Sequence, residues 1–187
     1  MHDVKRSDRR PLFIALCSVL AFAGCTDDGG DAADGMDSAG DTTGDGPGFD
    51  EQEVIAQAAD YAASLTKVND QATSSAHGLA DTVNFYVSPS SLQAYLMFDP
   101  EMPQEVALPE GTLLVKEHFN PEGATDGFLM MYKAPAGYNP DAADWFWARV
   151  DGAGNTQETG VVGFCVGCHN QVADAGFVFG VPLDNRL

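Results

Sequence analysis

Positive charge is scarce in this sequence. The 187 residues include nine lysines and arginines against 28 aspartates and glutamates, which gives a formal net charge of −19. Residues 51–187 alone hold 18 acidic side chains and five cations. A surface of this sign repels phosphate backbones, so the composition argues against nucleic acid as a partner. It is compatible with a cationic redox partner, although acidity often serves only solubility.

Hydrophobic runs long enough to cross a bilayer are missing as well. The apolar stretch of residues 11–24 is too short for a spanning helix, and it follows a basic segment, residues 1–10. This order is typical of a secretory signal peptide. The stretch ends in Phe-Ala-Gly-Cys25, which resembles the bacterial lipobox, so we expect residues 1–24 to be removed and Cys25 to be acylated. The alternatives are an ordinary signal peptide or a membrane anchor.

The segment after Cys25 lacks lysine and arginine altogether. Residues 26–50 contain eight aspartates and seven glycines. A chain of this composition cannot bury enough apolar surface to fold, and its like charges keep it extended. We therefore predict a signal peptide (1–24), a lipidated cysteine with a disordered linker (25–50) and one folded domain (51–187). The expected location is a bacterial membrane, with the domain facing the periplasm or the cell surface.

Cysteine is equally sparse. Cys17 leaves with the signal peptide and Cys25 takes the lipid, so only two of the four cysteines remain in the domain. Cys165 and Cys168 begin and end Cys-Val-Gly-Cys, and His169 follows at once, which is the C-x-x-C-H signature of covalent haem attachment. Two thiols three residues apart lie on one side of a helical turn and bond the haem vinyl groups, while the histidine ligates the iron. The sequence predicts one covalent haem c.

Two other interpretations of the cysteine pair are a thioredoxin-like redox pair and half of a zinc site. The redox motif usually opens the first helix of a βαβ unit, whereas this pair lies near the C-terminus of a strand-rich domain. A zinc site needs two further ligands, for which His77 and His118 are the candidates. His77 lies in a polar stretch and is otherwise expected to be exposed or structural.

The pattern of apolar residues predicts an α+β fold with a mainly antiparallel sheet. Helical spacing predicts an N-terminal helix over residues 51–66, and Ser88-Pro89 favours a short helix over 90–98. Runs of β-formers predict four strands, at residues 82–87, 112–119, 127–133 and 144–150. A C-terminal haem-binding helix then carries C-x-x-C-H, and the apolar segment 177–181 follows it.

The second predicted strand, residues 112–119, places a lysine among apolar residues. Alternate side chains of a strand share a face, so Leu114, Lys116 and His118 point one way and Glu117 points the other. A lysine in this position, in a domain with five cations, is a candidate for chemistry. The residues alone equally allow an edge-strand lysine that keeps its ammonium group in water.

Four motifs together resemble the cytochrome P-460 family from about residue 77 to the C-terminus. In chain order they are Tyr-Val-Ser-Pro89, Glu-Gly-Thr-Leu-Leu-Val-Lys116-Glu, Asp-Trp-Phe-Trp-Ala148 and Cys-Val-Gly-Cys-His169. The resemblance implies a β-rich homodimer with one five-coordinate c-type haem that is open on its distal side. It also implies a strand lysine that cross-links to the haem ring and shifts its absorption, and Lys116 falls on that position. In the related cytochromes c′-β this lysine is absent, and the pocket binds nitric oxide or other small gases.

One position departs from the family pattern. The characterised enzymes oxidise hydroxylamine and use a distal carboxylate as proton acceptor, on the strand that matches the third predicted strand. Here that position is Leu129, with Met131 beside it on the same face, and a leucine cannot accept a proton. Glu117 points away from this face, so His118 is the nearest substitute as base or sixth ligand.

Three functions are compatible with these residues. An enzyme would oxidise hydroxylamine or a similar small nitrogen compound at the lysine-modified haem. A binding protein would hold nitric oxide or another diatomic ligand in an apolar pocket around Leu129 and Met131. A membrane-tethered electron carrier would need a second strong axial ligand, for which the sequence offers no convincing candidate. Lys116 favours the first function, and the missing carboxylate favours the second.

Overall fold

The computed structural model describes residues 48–187, with the exception of residues 77, 103 and 105. The predicted signal peptide, Cys25, most of the predicted linker and His77 therefore lie outside the described residues. No helix within the described part of the chain is long and apolar enough to cross a membrane.

The described residues form one antiparallel sheet of seven strands. The strands are β1 (Thr66–Lys67), β2 (Thr73–Ser74), β3 (Thr82–Val87), β4 (Leu113–Phe119), β5 (Thr125–Lys133), β6 (Trp145–Val150) and β7 (Thr156–Gly160). Their order across the sheet is β1-β3-β4-β5-β6-β7, and β2 also pairs with β3. From β3 to β7 each strand pairs with the next one along the chain, which is the meander that short antiparallel connections favour.

Short helices accompany the sheet, so the predicted α+β class with a mainly antiparallel sheet is confirmed. The α-helices are α1 (Glu51–Ala59), α2 (Tyr61–Ser64), α3 (Leu92–Tyr95) and α4 (Gly163–His169). The 3-10 helices are Pro89–Ser91, Pro140–Ala142, Asn170–Ala175 and Leu183–Asn185.

The N-terminal helix is shorter than the sequence pattern predicts. It begins after Asp50, whose carboxylate accepts a hydrogen bond from the backbone N–H of Glu53 at 2.9 Å, as a helix cap does. It ends at Ala59 because Asp60 leaves the helical backbone conformation, and only the single turn α2 follows. Thr66 then pairs with β3, so strand pairing replaces the helix at the end of the predicted range.

The remaining differences in secondary structure concern one short helix and three short strands. The predicted helix over residues 90–98 is a 3-10 turn followed by the one-turn helix α3. β1 begins at the end of the predicted helix, β2 lies in the polar stretch that also contains His77, and β7 consists mainly of exposed polar residues. These strands pair through their backbones without burying one face, so they lack the alternating pattern by which strands are predicted.

β4 lies inside the sheet, between β3 and β5. Lys116 is the Cα partner of Phe85 on β3 and of Leu129 on β5. The alternative of an edge-strand lysine is therefore wrong, because strands occupy both sides of β4. Lys116 is fixed in the middle of the sheet and its side chain is half-buried.

The two faces of the sheet bury separate cores. The face that packs on α1, here called the helix face, includes Leu113, Val115, Phe128, Met130 and Phe146. The opposite face, here called the cavity face, includes Leu114, Met131, Trp145 and Trp147 and packs against the C-terminal segment. Leu113 and Leu114 thus lie on opposite faces of the sheet, as the predicted alternation of side chains requires.

Glu117 lies on the helix face, which confirms that it points away from Lys116. Its carboxylate accepts hydrogen bonds from the hydroxyls of Tyr61 (2.8 Å) and Tyr86 (3.0 Å) and from the side-chain amide of Asn84 (3.0 Å). Thr125 Oγ1 donates a fourth bond at 3.3 Å. Burial, and then the bond to Glu117, raises the pKa of Tyr86 to about 12, so this hydroxyl remains a donor at neutral pH.

Candidate functional site

Helix α4 carries the cysteine pair and the histidine that follows it. Cys165 and Cys168 are free thiols and are half-buried. Their spacing of three residues places both on one side of the helix, since a turn contains 3.6 residues. The structure thus brings the two predicted attachment residues to one wall of the domain.

His169 is oriented by a backbone carbonyl. Its Nδ1 lies 2.7 Å from the carbonyl oxygen of Phe177, so Nδ1–H donates and Nε2 is left with its lone pair for a metal ion. Phe177 reaches this position through a positive φ of 64°, directly after Gly176 at 66°. A non-glycine residue with such a φ is strained, and the hydrogen bond to the imidazole is one of the contacts that offset this strain. Burial lowers the pKa of His169, although the bond to Phe177 opposes the shift.

A cavity of about 220 Å³ lies between α4 and the cavity face of the sheet. All six predicted cofactor-binding residues line it: Lys116, Leu129, Met131, Cys165, Cys168 and His169. They come from β4, β5 and α4, so only the folded chain brings them together. Most of the other wall residues are apolar, as in sites for flat hydrophobic cofactors.

Lys116 places an amine in this cavity. Its Nζ lies 5.7 Å from the ring centre of Phe85, its neighbour on β3. Burial lowers the pKa of Lys116 to about 8, while the nearby Cys168 and Cys165 oppose the shift. About a tenth of the amine is therefore uncharged at pH 7, far more than for an ordinary lysine, and only the uncharged amine is a nucleophile.

His118 lies on the same strand, but it is not among the residues that the structure places in the cavity wall. Its side chain is only 3% exposed. Burial lowers its pKa to about 4, and the positive charges of Lys116 and Arg149 contribute to the same shift. The imidazole is therefore neutral at physiological pH. Its predicted part as base or sixth ligand gains no support from this position.

Two aromatic residues of the cavity wall, Trp147 and Phe179, were not predicted as site residues. The ring of Phe179 lies 5.1 Å from that of His169, and the ring of Trp147 lies 6.2 Å from it. Alternation on β6 does place Trp147 on the cavity face, but the same signal marks an ordinary core residue. Phe179 follows α4 in an irregular segment, and no sequence pattern indicates its contact with His169.

The residues present fit a c-type haem. Two thiols, one imidazole with a free Nε2 and apolar walls are the groups that such a haem requires. The indole N–H of Trp147, whose side chain lines the cavity, is buried and has no hydrogen-bond partner among the described residues. The zinc alternative lacks support, because the described residues contain no group of three or more metal-ligating side chains.

Comparison with known proteins agrees with this assignment. The family profile described as Cytochrome P460 matches residues 58–180, more than half of the chain. No curated protein matches the sequence. The matched range contains the cavity strands, α4 and the residues that follow it, so both the site and the sheet fall within the family. The chain belongs to the cytochrome P460 family, whose members bind haem c covalently.

Proposed function

We propose that this protein is a lipid-anchored c-type cytochrome that carries out redox chemistry on hydroxylamine or a similar small nitrogen compound. One observation carries the proposal: Lys116 lies in the wall of the same cavity as Cys165, Cys168 and His169. Haem c supplies a one-electron redox centre with an open coordination position when it is bound in such a site.

The residues of the chain itself would have the following roles. The two cysteines attach the ring, and His169 ligates the iron through Nε2 while Phe177 fixes the orientation of the imidazole. Lys116 would cross-link to the ring by a C–N bond that replaces one amine N–H and one ring C–H, a step that needs a two-electron oxidant such as a peroxide, and the lowered pKa of the amine would favour its attack. Met131 and Leu129 form an apolar wall that excludes water from a small ligand.

A specific observation favours a second function, the binding of nitric oxide or another diatomic gas. Leu129 is the Cα partner of Lys116 and occupies the place expected for a proton-accepting carboxylate. No aspartate or glutamate is among the described residues of the cavity wall. Hydroxylamine must lose protons when it is oxidised, whereas a diatomic ligand needs no proton acceptor.

The proposal extends to location and partners. The lipobox at Cys25 would hold the domain on a bacterial membrane, and the acidic domain would receive a cationic redox partner. A homodimer follows from the family resemblance. Sedimentation equilibrium of the haem-loaded protein tests the dimer, and mass spectrometry of the membrane fraction tests acylation at Cys25.

The absorption spectrum of the ferrous protein tests the cross-link first. The full chain is produced in a host with haem c maturation machinery, together with Lys116→Ala, Lys116→Arg and Lys133→Ala. The cross-link predicts a Soret band shifted well to the red in the wild type and in the Lys133→Ala control. The two Lys116 variants should give an ordinary haem c spectrum, because an arginine keeps the charge but is not a nucleophile at neutral pH.

Hydroxylamine turnover then separates the two functions. Leu129→Glu adds a proton acceptor opposite Lys116, and Leu129→Gln is the control of similar size and polarity without a charge. Turnover by the wild type supports the proposed enzyme. Tight nitric oxide binding without turnover, together with turnover that appears only in Leu129→Glu, would instead establish the gas-binding function. A low-spin spectrum without added ligand would indicate a second axial ligand and an electron carrier.

A further inference from the structure

Two tyrosines on the helix face share one carboxylate. The hydroxyl of Tyr61 donates to Glu117 Oε1 at 2.8 Å, and the hydroxyl of Tyr86 donates to Glu117 Oε2 at 3.0 Å. The centres of the two tyrosine rings lie 4.9 Å apart. Burial, and then the bond to Glu117, raises the pKa of Tyr61 as it does that of Tyr86, so both phenols stay protonated. The pair thus combines two oxidisable rings with one proton acceptor.

The tyrosine pair connects two openings in the domain. Tyr86 borders the haem cavity, although its ring packs on the helix face. Tyr61 borders a second opening, a groove of about 460 Å³ between α1, the start of β5 and the end of β6. The Glu117 carboxylate lies between the two rings, since it bonds both hydroxyls. A chain of contacts therefore crosses the sheet from the cavity to the groove.

The end of this chain at Tyr86 lies close to the site of the haem. Lys116, which is assigned to the haem ring, directly precedes Glu117 in the sequence. Its Nζ lies 5.7 Å from the ring centre of Phe85, the residue before Tyr86. The thickness of the sheet is thus what separates the pair from the cavity. Layers packed on a sheet lie about 10 Å apart, a distance that an electron crosses by tunnelling.

The proton acceptor distinguishes this pair from a tyrosine that merely lies near the haem. A phenol gives up an electron readily only if its proton leaves as well, because the oxidised phenol is a strong acid. Tyr95 also borders the haem cavity, but its hydroxyl donates to the backbone carbonyl of Phe179 at 3.3 Å. A carbonyl oxygen takes up no proton at neutral pH, whereas the Glu117 carboxylate can take one.

We propose that Tyr61, Tyr86 and Glu117 form a redox relay that returns electrons to the haem after a peroxide has oxidised it. The peroxide takes two electrons from the haem protein and two protons from solvent, and it leaves as water. In each relay step one phenol O–H bond breaks. Its electron goes to the oxidised haem, its proton goes to a Glu117 oxygen, and a neutral tyrosyl radical remains.

The groove beside Tyr61 is where the relay would be refilled. A small reductant such as ascorbate gives one electron to the radical there, and the proton returns from Glu117, which restores the phenol. The relay would thus draw oxidising equivalents away from Met131 and Trp147, which line the haem cavity. It requires the haem, but it does not depend on which small molecule reacts there.

The test detects the radical in the haem-loaded full chain, rapidly frozen after mixing with hydrogen peroxide. We expect electron paramagnetic resonance to show a tyrosyl radical, identified by a signal that narrows when the chain carries ring-deuterated tyrosine. The double variant Tyr61→Phe, Tyr86→Phe should lose this signal, because both phenols are removed while the rings remain. Tyr95→Phe is the matched control and should keep the signal, although it removes a buried hydroxyl beside the cavity.

Several outcomes would overturn the proposal. A wild-type protein that forms no tyrosyl radical, or only a tryptophan radical, has no relay through the pair. An unchanged tyrosyl signal in the double variant places the radical on another tyrosine. Loss of the signal in Tyr95→Phe would assign the radical to Tyr95.

The single variants keep the test decisive if the double variant does not load haem. Each of them leaves three of the four donors to Glu117 in place. The ring orientation of the remaining tyrosine sets the line shape, so Tyr61→Phe and Tyr86→Phe should give different signals, and identical signals would refute the proposal. Ascorbate should remove the radical faster in Tyr86→Phe, where Tyr61 beside the groove carries it. The reverse order would refute entry of electrons through the groove.

Discussion

Glu117 and Lys116 are neighbours on β4, yet they belong to opposite faces with opposite properties. On the helix face, the Glu117 carboxylate accepts hydrogen bonds from four donors of the protein. On the cavity face, the wall surrounds open volume, and the indole N–H of Trp147 has no partner within the described part of the chain. The comparison teaches that the buried charge of the helix face is satisfied within the protein, whereas the amine of the cavity face borders a volume that can hold a cofactor.

The largest effect should come from the cavity face, through loss of the iron ligand. We expect His169→Ala to prevent normal haem maturation, because no other imidazole lines the described cavity wall. The absorption spectrum and the haem content of purified protein measure this effect. His118→Ala is the matched control and should keep a normal haem. A normal five-coordinate, histidine-ligated haem in His169→Ala would contradict the ligand assignment.

The second largest effect should come from a substitution on the helix face. Glu117→Ala removes the acceptor of four donors, so we expect it to lower the free energy of unfolding by about 4 kcal/mol, measured by urea denaturation. Glu117→Gln keeps one acceptor oxygen and should lose about half as much.

In haem-free protein, Lys116→Met should lower the free energy of unfolding by less than about 1 kcal/mol, because it removes only a half-buried amine from the cavity face. A larger loss of unfolding free energy in Lys116→Met than in Glu117→Ala would show that the cavity face contributes more to stability than the helix face.

Acid should lower the free energy of unfolding of the domain, because it protonates His118. Its pKa is about 4 in the folded protein, below the ordinary value of 6.5, so the unfolded chain binds more protons between these two values. The contribution of neutral His118 to the free energy of unfolding is fully present above pH 6.5. It is lost as the pH falls towards 4. The loss amounts to about 3 kcal/mol at most. Urea titrations at pH 6.5 and pH 4 should show a smaller acid loss in His118→Phe, and equal losses would refute the shift.

The smallest effect is expected where both partners are open to solvent. Arg149 and Glu158 form an ion pair at 3.0 Å with more than a third of each side chain exposed. We expect Arg149→Met to change the free energy of unfolding by less than about 1 kcal/mol, and added salt to reduce even that difference. A loss comparable with that of Glu117→Ala would show that the pair is structural.

The sequence predicts the cavity face better than it predicts the rest of the fold. Alternation on β4 separates Lys116 from Glu117, and the C-x-x-C-H motif places three site residues by spacing alone. By contrast, β7 has no apolar pattern, because its exposed residues pair only through the backbone. The interior place of β4 also depends on pairings between distant segments, which local patterns do not record.

The orientations of the site residues could not be predicted from the sequence. The Phe177 carbonyl meets His169 because two successive residues adopt positive φ, and nothing in a phenylalanine indicates this conformation. The missing partner of Trp147 is likewise visible only when every neighbour is in place. Residue types predict which chemistry is present, whereas orientation arises from the assembled fold.

Phe49 is packed against the sheet just before α1 begins. Its ring contacts Tyr132, Tyr138 and Phe146 at centre distances of 5.0, 5.3 and 5.1 Å, so the chain enters the domain on the helix face. Phe49 thus covers part of the helix-face core, on the side of the sheet opposite the cavity.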